Sequence, residues 1–309
     1  MAPAVSAIIP TYNRATVFEA VASVLAQRAA ELELIVVDDG STDGTWSELQ
    51  RMAAKAPAIM RVLRTENRGV AAARNVGIAM AKAPLTAFLD SDDLWAPDKL
   101  ARQVEFMDRH QRCEISQTGE IWLRHGRRVN PGVRHRKRGG DILIDSLRTC
   151  LISPSAVILR TAYLREVDGF DEDMAAAEDY DLWLRILLNH EAGYIDEPLV
   201  TRRAGHPDQL SATVAAIDRF RILALLKLLT RTDLAAARRE AVCDILAEKS
   251  AIYAKGLARR GHKDAAGFIP GLRAGALGAW RTGTDEGLAS AMAAMRSHIK
   301  SGAIRGLGQ

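Results

Sequence analysis

Over the first 95 residues the sequence switches period again and again, and this switching restricts the fold more than any other feature. Short apolar or β-branched runs, VSAII (5–9), LELIVV (32–37), MRVLR (60–64) and LTAFL (85–89), alternate with segments of helical spacing. Val17, Val21, Val24 and Leu25 mark one face of a helix over 14–27. STDGT offers capping residues ahead of a helix in WSELQRMAAK, and GVAAARNVGIAMAKA (69–83) is Ala-rich and helical. Pro10 is expected to stop the first strand. The order βαβαβαβ predicts a parallel sheet with helices on both faces, and LELIVV is continuous enough to be buried from both sides.

Ligands of such sheets bind beyond the carboxyl ends of the strands, so the strand exits carry the functional information. The first exits into PTYNR, the second into DDGSTD and the fourth into DSDD, three polar clusters in phase at one edge. The last is the most demanding. In AFLDSDDLW (87–95), Asp90, Asp92 and Asp93 fall within four positions. At an effective dielectric near 20, two carboxylates ~4 Å apart repel by roughly 4 kcal/mol. A divalent cation is one candidate to offset that.

Beyond residue 95 the pattern is mixed. PDKLARQVEFMDRH (97–110) reads as a helix, and EIWLRHGRRVNPGVRHRKRGG (120–140) as two strands around an Asn-Pro-Gly turn. SAVILR (155–160) is a further strand, and EDYDLWLRILLNH (178–190) an amphipathic helix with Leu182, Ile186 and Leu187 on one face. From about 214 the chain is Ala- and Leu-rich and helical to the end. The expected division is an α/β domain over 1–213, in halves 1–95 and 96–213, then a helical extension over 214–309.

The three cysteines, Cys113, Cys150 and Cys243, form no C-x-x-C pair, which argues for a reducing compartment and against a disulfide frame or zinc site. The N-terminal stretch lacks the pattern of a signal peptide, and no run reaches ~18 uncharged apolar residues, so no membrane span is expected. A net charge of +4 says little by itself about partners.

Taken together, IIPTYNR, IVVDDGSTDGT, NRGVAAARNVGI, FLDSDD and AEDYDLWLR, in that order, resemble the inverting family 2 glycosyltransferases of GT-A fold over roughly residues 4–210. The resemblance implies a mostly parallel central sheet flanked by helices and transfer of a sugar from a nucleotide-sugar donor, by default a UDP-sugar. It also implies Mn2+ or Mg2+. DSDD matches the family's DXD motif, with Asp92 given to the metal, Asp90 to metal or ribose, Ser91 between them and Asp93 able to substitute. Asp39, with Asp38 second, is expected at the base. Thr11 and Tyr12 would line the base pocket, with the Tyr12 ring as a stacking face, and Pro10, Asn13 and Arg14 would belong to the same nucleotide-sugar site. Arg68 and Arg74 are expected to face the donor, Arg74 as a bidentate grip, while Gly69 and Gly77 would let backbones approach closely. In AEDYDLW, Asp179 matches the general base and Glu178 would bind acceptor or hold the helix. His206, in a Gly-His-Pro loop, is the expected metal or diphosphate ligand. Each of these residues also has a plainer reading as a turn, a helix cap or a surface charge.

Residues 124–138 carry seven Arg or Lys and two His with no acid, either a solvated hairpin or a lip gripping an anionic acceptor such as a phosphate-bearing lipid carrier or acidic glycan. No nucleic-acid-binding fold accompanies that charge. The expected partners are a nucleotide-sugar donor and a glycan or lipid-linked acceptor. The expected location is the cytoplasm or the inner face of the membrane, and the helical tail is expected to pack on its own domain, mediate dimers or rest on a membrane surface. A nucleotidyltransferase is a weaker alternative because PTYNR has no glycine, and a dehydrogenase is disfavoured because no G-x-G-x-x-G follows a strand. A non-catalytic nucleotide-sugar or glycan binder is the remaining alternative, and the carboxylates at Asp90, Asp92 and Asp179 speak against it.

Overall fold

The four apolar runs become the parallel strands β1 (Val5–Thr11), β2 (Leu32–Asp38), β3 (Met60–Arg64) and β4 (Leu85–Phe88), side by side in the order β3-β2-β1-β4. Helices α1 (Val17–Leu25), α2 (Thr45–Lys55) and α3 (Val70–Met80) make the crossovers. The structure, a computed structural model, describes residues 2–28, 31–205, 216–262 and 285–300 with scattered positions between 266 and 278. Chain contacts divide it into two compact units: 1–142, 149–175 and 189–206 in the first, and 143–148, 176–188 and 207–309 in the second.

In the first unit β1 and β2 are buried almost throughout, as strands covered on both faces must be. Helix α1 buries Val17, Ala20, Val21 and Val24 and leaves Leu25 exposed. Pro10 does not end β1. It pairs with Val37 of β2, while pairing of β1 with β4 ends at Ile8. Its missing N–H falls on the side where β4 has already stopped, so no ladder bond is lost. The cap of α2 does come from STDGT: Gly44, at φ +89°, is the cap residue, and the Asp43 carboxylate accepts from the Thr45 N–H at 3.1 Å. Gly77 does permit a close approach, since a Cβ there would lie 2.4 Å from Ile8 Cγ2 in the core.

The sheet continues through β8 (Val157–Arg160), β6 (Ile115–Arg124), β9 (Ala192–Ala204) and β5 (Leu94–Trp95), with β7 (Arg127–Val129) paired to β6. Six of these nine strands point the same way; β5, β7 and β8 are reversed. Helices α4 (Lys99–Arg109) and α6 (Thr161–Glu166) complete the unit. The β6–β7 hairpin turns at His125-Gly126, not at Asn130-Pro131-Gly132. Both turn residues have positive φ, 50° and 74°, which a two-residue hairpin of matching twist requires and which proline cannot adopt.

The second unit contains α5 (Leu143–Arg148), α7 (Glu178–Leu187), α8 (Asp218–Leu229), α9 (Ala236–Arg259) and α10 (Asp285–Lys300). Helix α8 buries eight of its residues. The buried Asp181 joins α7 to α8 through Lys227 Nζ at 2.6 Å and also takes Arg185 Nε at 3.0 Å. Tyr180 donates to the Leu147 carbonyl at 2.7 Å, fixing α7 on α5. No described helix is long and apolar enough to cross a membrane.

Candidate functional site

The parallel register sets the first two exits level, with Thr11 paired to Asp38 and the Asp39 N–H donating to the Thr11 carbonyl at 2.8 Å. Thr11 is buried, and its Oγ1 has no hydrogen-bond partner among the described residues. Tyr12 is 45% exposed, so its ring offers a face to solvent at this edge. Asn13, at φ +45°, donates its N–H to Ser41 Oγ at 2.8 Å and accepts the Thr42 N–H at 2.7 Å. These two bonds fasten the first exit loop to the second.

Asp38 and Asp39 are both buried. Asp38 accepts the Ser41 N–H at 3.1 Å, and Arg64 Nε lies 3.8 Å from its other oxygen. Asp39 accepts from Thr65 Oγ1 at 2.9 Å and from the N–H groups of Arg68 and Gly69 at 3.0 and 2.7 Å. Its carboxylate thus holds the loop entering α3. Gly69 answers to backbone conformation, at φ +94°; nothing lies within 4 Å of a Cβ built there, so close approach is not its reason. Arg68 points to an exposed ion pair with Glu172 at 2.6 Å.

The DSDD turn settles how three carboxylates coexist. Arg74, buried and with its guanidinium carbon 5.0 Å from the Phe170 ring centroid, pairs with Asp90 at 2.7 Å. Arg14 pairs with Asp92 at 2.7 Å. Asp93 is turned inward, accepting from Ser155 Oγ at 2.6 Å and from the Arg203 N–H at 2.9 Å. Burial, reinforced by Asp92 and Asp90 and opposed by Arg202, pushes its carboxyl up to about 8. Two guanidiniums therefore offset the charge of Asp90 and Asp92, while Asp93 is turned away from its neighbours into the protein. The case for a metal then rests on donor chemistry. Asp90 and Asp92 keep side-chain exposures of 27% and 17%, and hard cations take one or two carboxylates and fill their remaining positions from phosphate and water. Among the described residues no group of three His, Cys, Asp or Glu could hold an ion unaided. These residues fit a cation delivered with a diphosphate, not a closed protein cage.

In the second unit, Asp179 is half-buried in the first turn of α7, where the helix dipole favours a carboxylate, and Glu178 is buried. The preceding Ala177 sits at φ +57°, a conformation that costs a non-glycine residue roughly 1–2 kcal/mol. His206 lies outside the described residues.

A sequence profile described as Glycosyl transferase family 2 matches residues 6–163, more than half of the chain. The chain belongs to that family. Among curated family relatives, a glycosyltransferase of Rickettsia felis described only as uncharacterised is 36% identical over 196 residues, covering 63% of this chain and 32% of its own length. The chain thus spans about a third of that relative. The putative teichuronic acid biosynthesis glycosyltransferase TuaG of Bacillus subtilis is 46% identical over 118 residues, covering 38% of this chain and 46% of TuaG. Of solved structures, S. aureus TarS 1–349 in complex with UDP-GlcNAc superposes with a TM-score of 0.62 at 21% identity, covering 95% of this chain and 92% of that one. The mannosyltransferase PcManGT of Pyrobaculum calidifontis, in complex with GDP-Man and Mn2+, gives 0.57 at 21%, covering 94% and 86%. The fold is that of GT-A glycosyltransferases.

Within this family 2 chain one brace escaped the sequence reading. Ser155 is fully buried, accepts the Asp90 N–H at 3.1 Å, donates to Asp93, and through its carbonyl accepts Trp95 Nε1 at 2.7 Å. It comes from a 3-10 turn just before β8, 62 residues after Asp93, and nothing in ISPSA marks it.

Proposed function

We propose that this chain is a metal-dependent inverting glycosyltransferase that moves a sugar from a nucleotide-sugar donor, a UDP-sugar, to a glycan or lipid-linked acceptor. The observation that carries this reading is the DSDD turn. On a family 2 chain, two part-exposed carboxylates stand on a turn braced by Ser155 and are steered by Arg14 and Arg74, at the edge where parallel sheets bind ligands. In this reading the base stacks on Tyr12 beside the latched loops of Asn13, Asp38 and Asp39, and the diphosphate lies over Asp90, Ser91 and Asp92. A divalent cation held by Asp90 and Asp92 would neutralise the leaving diphosphate, with His206 as a further ligand; the Mn2+ complex of the mannosyltransferase supports such a group. Arg68 and Gly69 shape the loop held by Asp39, and Arg74 acts by orienting Asp90.

Asp179 is the proposed general base. It accepts the proton of the acceptor hydroxyl as that oxygen attacks the anomeric carbon and the bond to the diphosphate breaks. One base and one in-line displacement give inversion; no carboxylate nucleophile is needed. Glu178 holds the helix start. The transferase functions reside in residues 1–213, with the helical extension as an appendage. The setting is surface-glycan synthesis at the cytoplasmic face, which the name of TuaG supports.

The test is a panel of nucleotide sugars with Mn2+, read as nucleoside diphosphate release and by the anomeric configuration of the product. Release with inversion is expected from one donor, and no release or melting shift with any nucleotide overturns the reading. Asp179→Asn should retain the donor-induced melting shift while transfer falls by about 10²–10⁴. Transfer at the wild-type rate would remove Asp179 as the base.

A further inference from the structure

We infer that residues 124–138 form a protruding arm that binds a linear polyanionic glycan, the acceptor of the transfer proposed above, on which reading this inference rests. The sheet register places the arm. Thr86 of β4 is level with Leu159 of β8, which is level with Ile115 of β6, so the level at which β4 stops corresponds to Gln117. Strand β6 continues from Thr118 to Arg124, roughly 20 Å at ~3.3 Å per residue, in the direction of the edge that bears Asp90. It then turns at His125-Gly126 and returns as β7.

Seven Arg or Lys and no acid lie in this stretch, more positive charge than the net +4 of the whole chain, so the remaining residues are net acidic. Arg124, Arg127, Arg128, Arg134 and Arg136 are exposed, and among the described residues none of them pairs with a carboxylate. The single lysine behaves differently. Lys137 is turned inward, 3.2 Å from the buried Glu120, and donates to Ser153 Oγ at 2.7 Å. Arg202 also reaches Ser153 Oγ, at 3.3 Å, stands over the Trp122 ring, and lies 4.0 Å from Asp93. The root of the arm is thereby fixed to the acidic turn, while its outer surface presents arginines alone.

Arg124 and Arg127 face each other across the β6–β7 pair, Arg128 follows on β7, and Arg134 and Arg136 come from the 3-10 turn at 133–135 and the residue after it. The charge is thus spread over three stretches of backbone, which suits repeated carboxylates or phosphates on a chain better than one compact anion. Guanidinium forks match both groups bidentately. A bilayer surface is less well matched, because Val133 is the one large hydrophobic residue the arm exposes and it offers no apolar face to insert.

The experiment measures binding of the full chain to a labelled oligogalacturonate, to a neutral dextran oligomer of equal length and to phosphatidylglycerol vesicles, each at 50 and 200 mM NaCl. The oligogalacturonate should bind, about tenfold more weakly at the higher salt, and dextran should not. Arg127→Gln, Arg128→Gln, Arg134→Gln and Arg136→Gln combined should weaken binding by about tenfold or more, and the four-Lys counterpart should recover part of it. If the combined variant does not fold, Arg128→Gln and Arg134→Gln singly should each weaken binding about twofold. Unchanged affinity in these variants, equal binding of dextran, or binding to vesicles but not to the glycan overturns the inference. The UDP-induced melting shift of the wild-type chain reports separately on the donor reading: a shift without glycan binding sinks the arm alone, and no shift sinks the reading beneath it.

Discussion

Ser155→Ala removes one hydroxyl and strands two groups at once, the Asp90 N–H and the buried Asp93 carboxyl. Leaving buried polar groups unpaired costs about 1–3 kcal/mol, so denaturant unfolding should show a loss of that size. Lys99 makes the opposite case. It is fully buried, with Nζ 3.2 Å from the Val157 carbonyl and 3.8 Å from the Trp95 ring centroid, and among the described residues no carboxylate pairs with it. Burial holds its amine well below the usual lysine range, while the unfolded chain protonates it below about 10.4. Stability attributable to this residue therefore falls as pH drops from that value toward the folded-state pKa. Lys99→Met should raise stability at pH 7 by roughly 1–3 kcal/mol, with a smaller gain at pH 10. Equal gains at both pH values would show that the amine is charged in the fold. Neither residue announced its role in sequence. Ser155 is one serine among many, and Lys99 in PDKL looks like a surface charge at a helix start.

At the scale of elements, period and punctuation carried most of the information. The four strands and three helices of the N-terminal half were legible because apolar runs buried on both faces and helical spacing are local signals. Departures occurred where a neighbour decided the outcome: Pro10 stays in β1 because β4 stops short, and the hairpin turns at His125-Gly126 because strand twist asks for positive φ. The long β9 is not among the strands delimited from the sequence, and its pairing with β6 is remote in sequence. Gly77 was read correctly as a contact residue, and it yields a prediction about α3 on β1. Gly77→Ala should destabilise by roughly 1–3 kcal/mol despite better helix propensity, because its Cβ would fall 2.4 Å from Ile8 Cγ2. Ile8→Ala in the same chain should show a non-additive, partial rescue in a double-mutant cycle. A stabilised Gly77→Ala protein would mean the two elements do not pack this closely.

For the whole molecule, the ordered exits of a parallel sheet pointed to one edge as the place where ligand chemistry is expected. What sequence could not supply was the electrostatic solution. Spacing alone made the DSDD carboxylates look short of a counter-charge, whereas Arg14, between β1 and α1, and Arg74, within α3, provide it. The account accordingly makes Asp92 a donor-site ligand by virtue of its exposed oxygen chemistry. Calorimetric titration of UDP into the full chain, with Mn2+ and then with chelator, tests this most directly. Mn2+ should strengthen UDP binding by about tenfold or more in the wild type, and Asp92→Ala should abolish that gain. UDP affinity indifferent both to Mn2+ and to Asp92→Ala would contradict it.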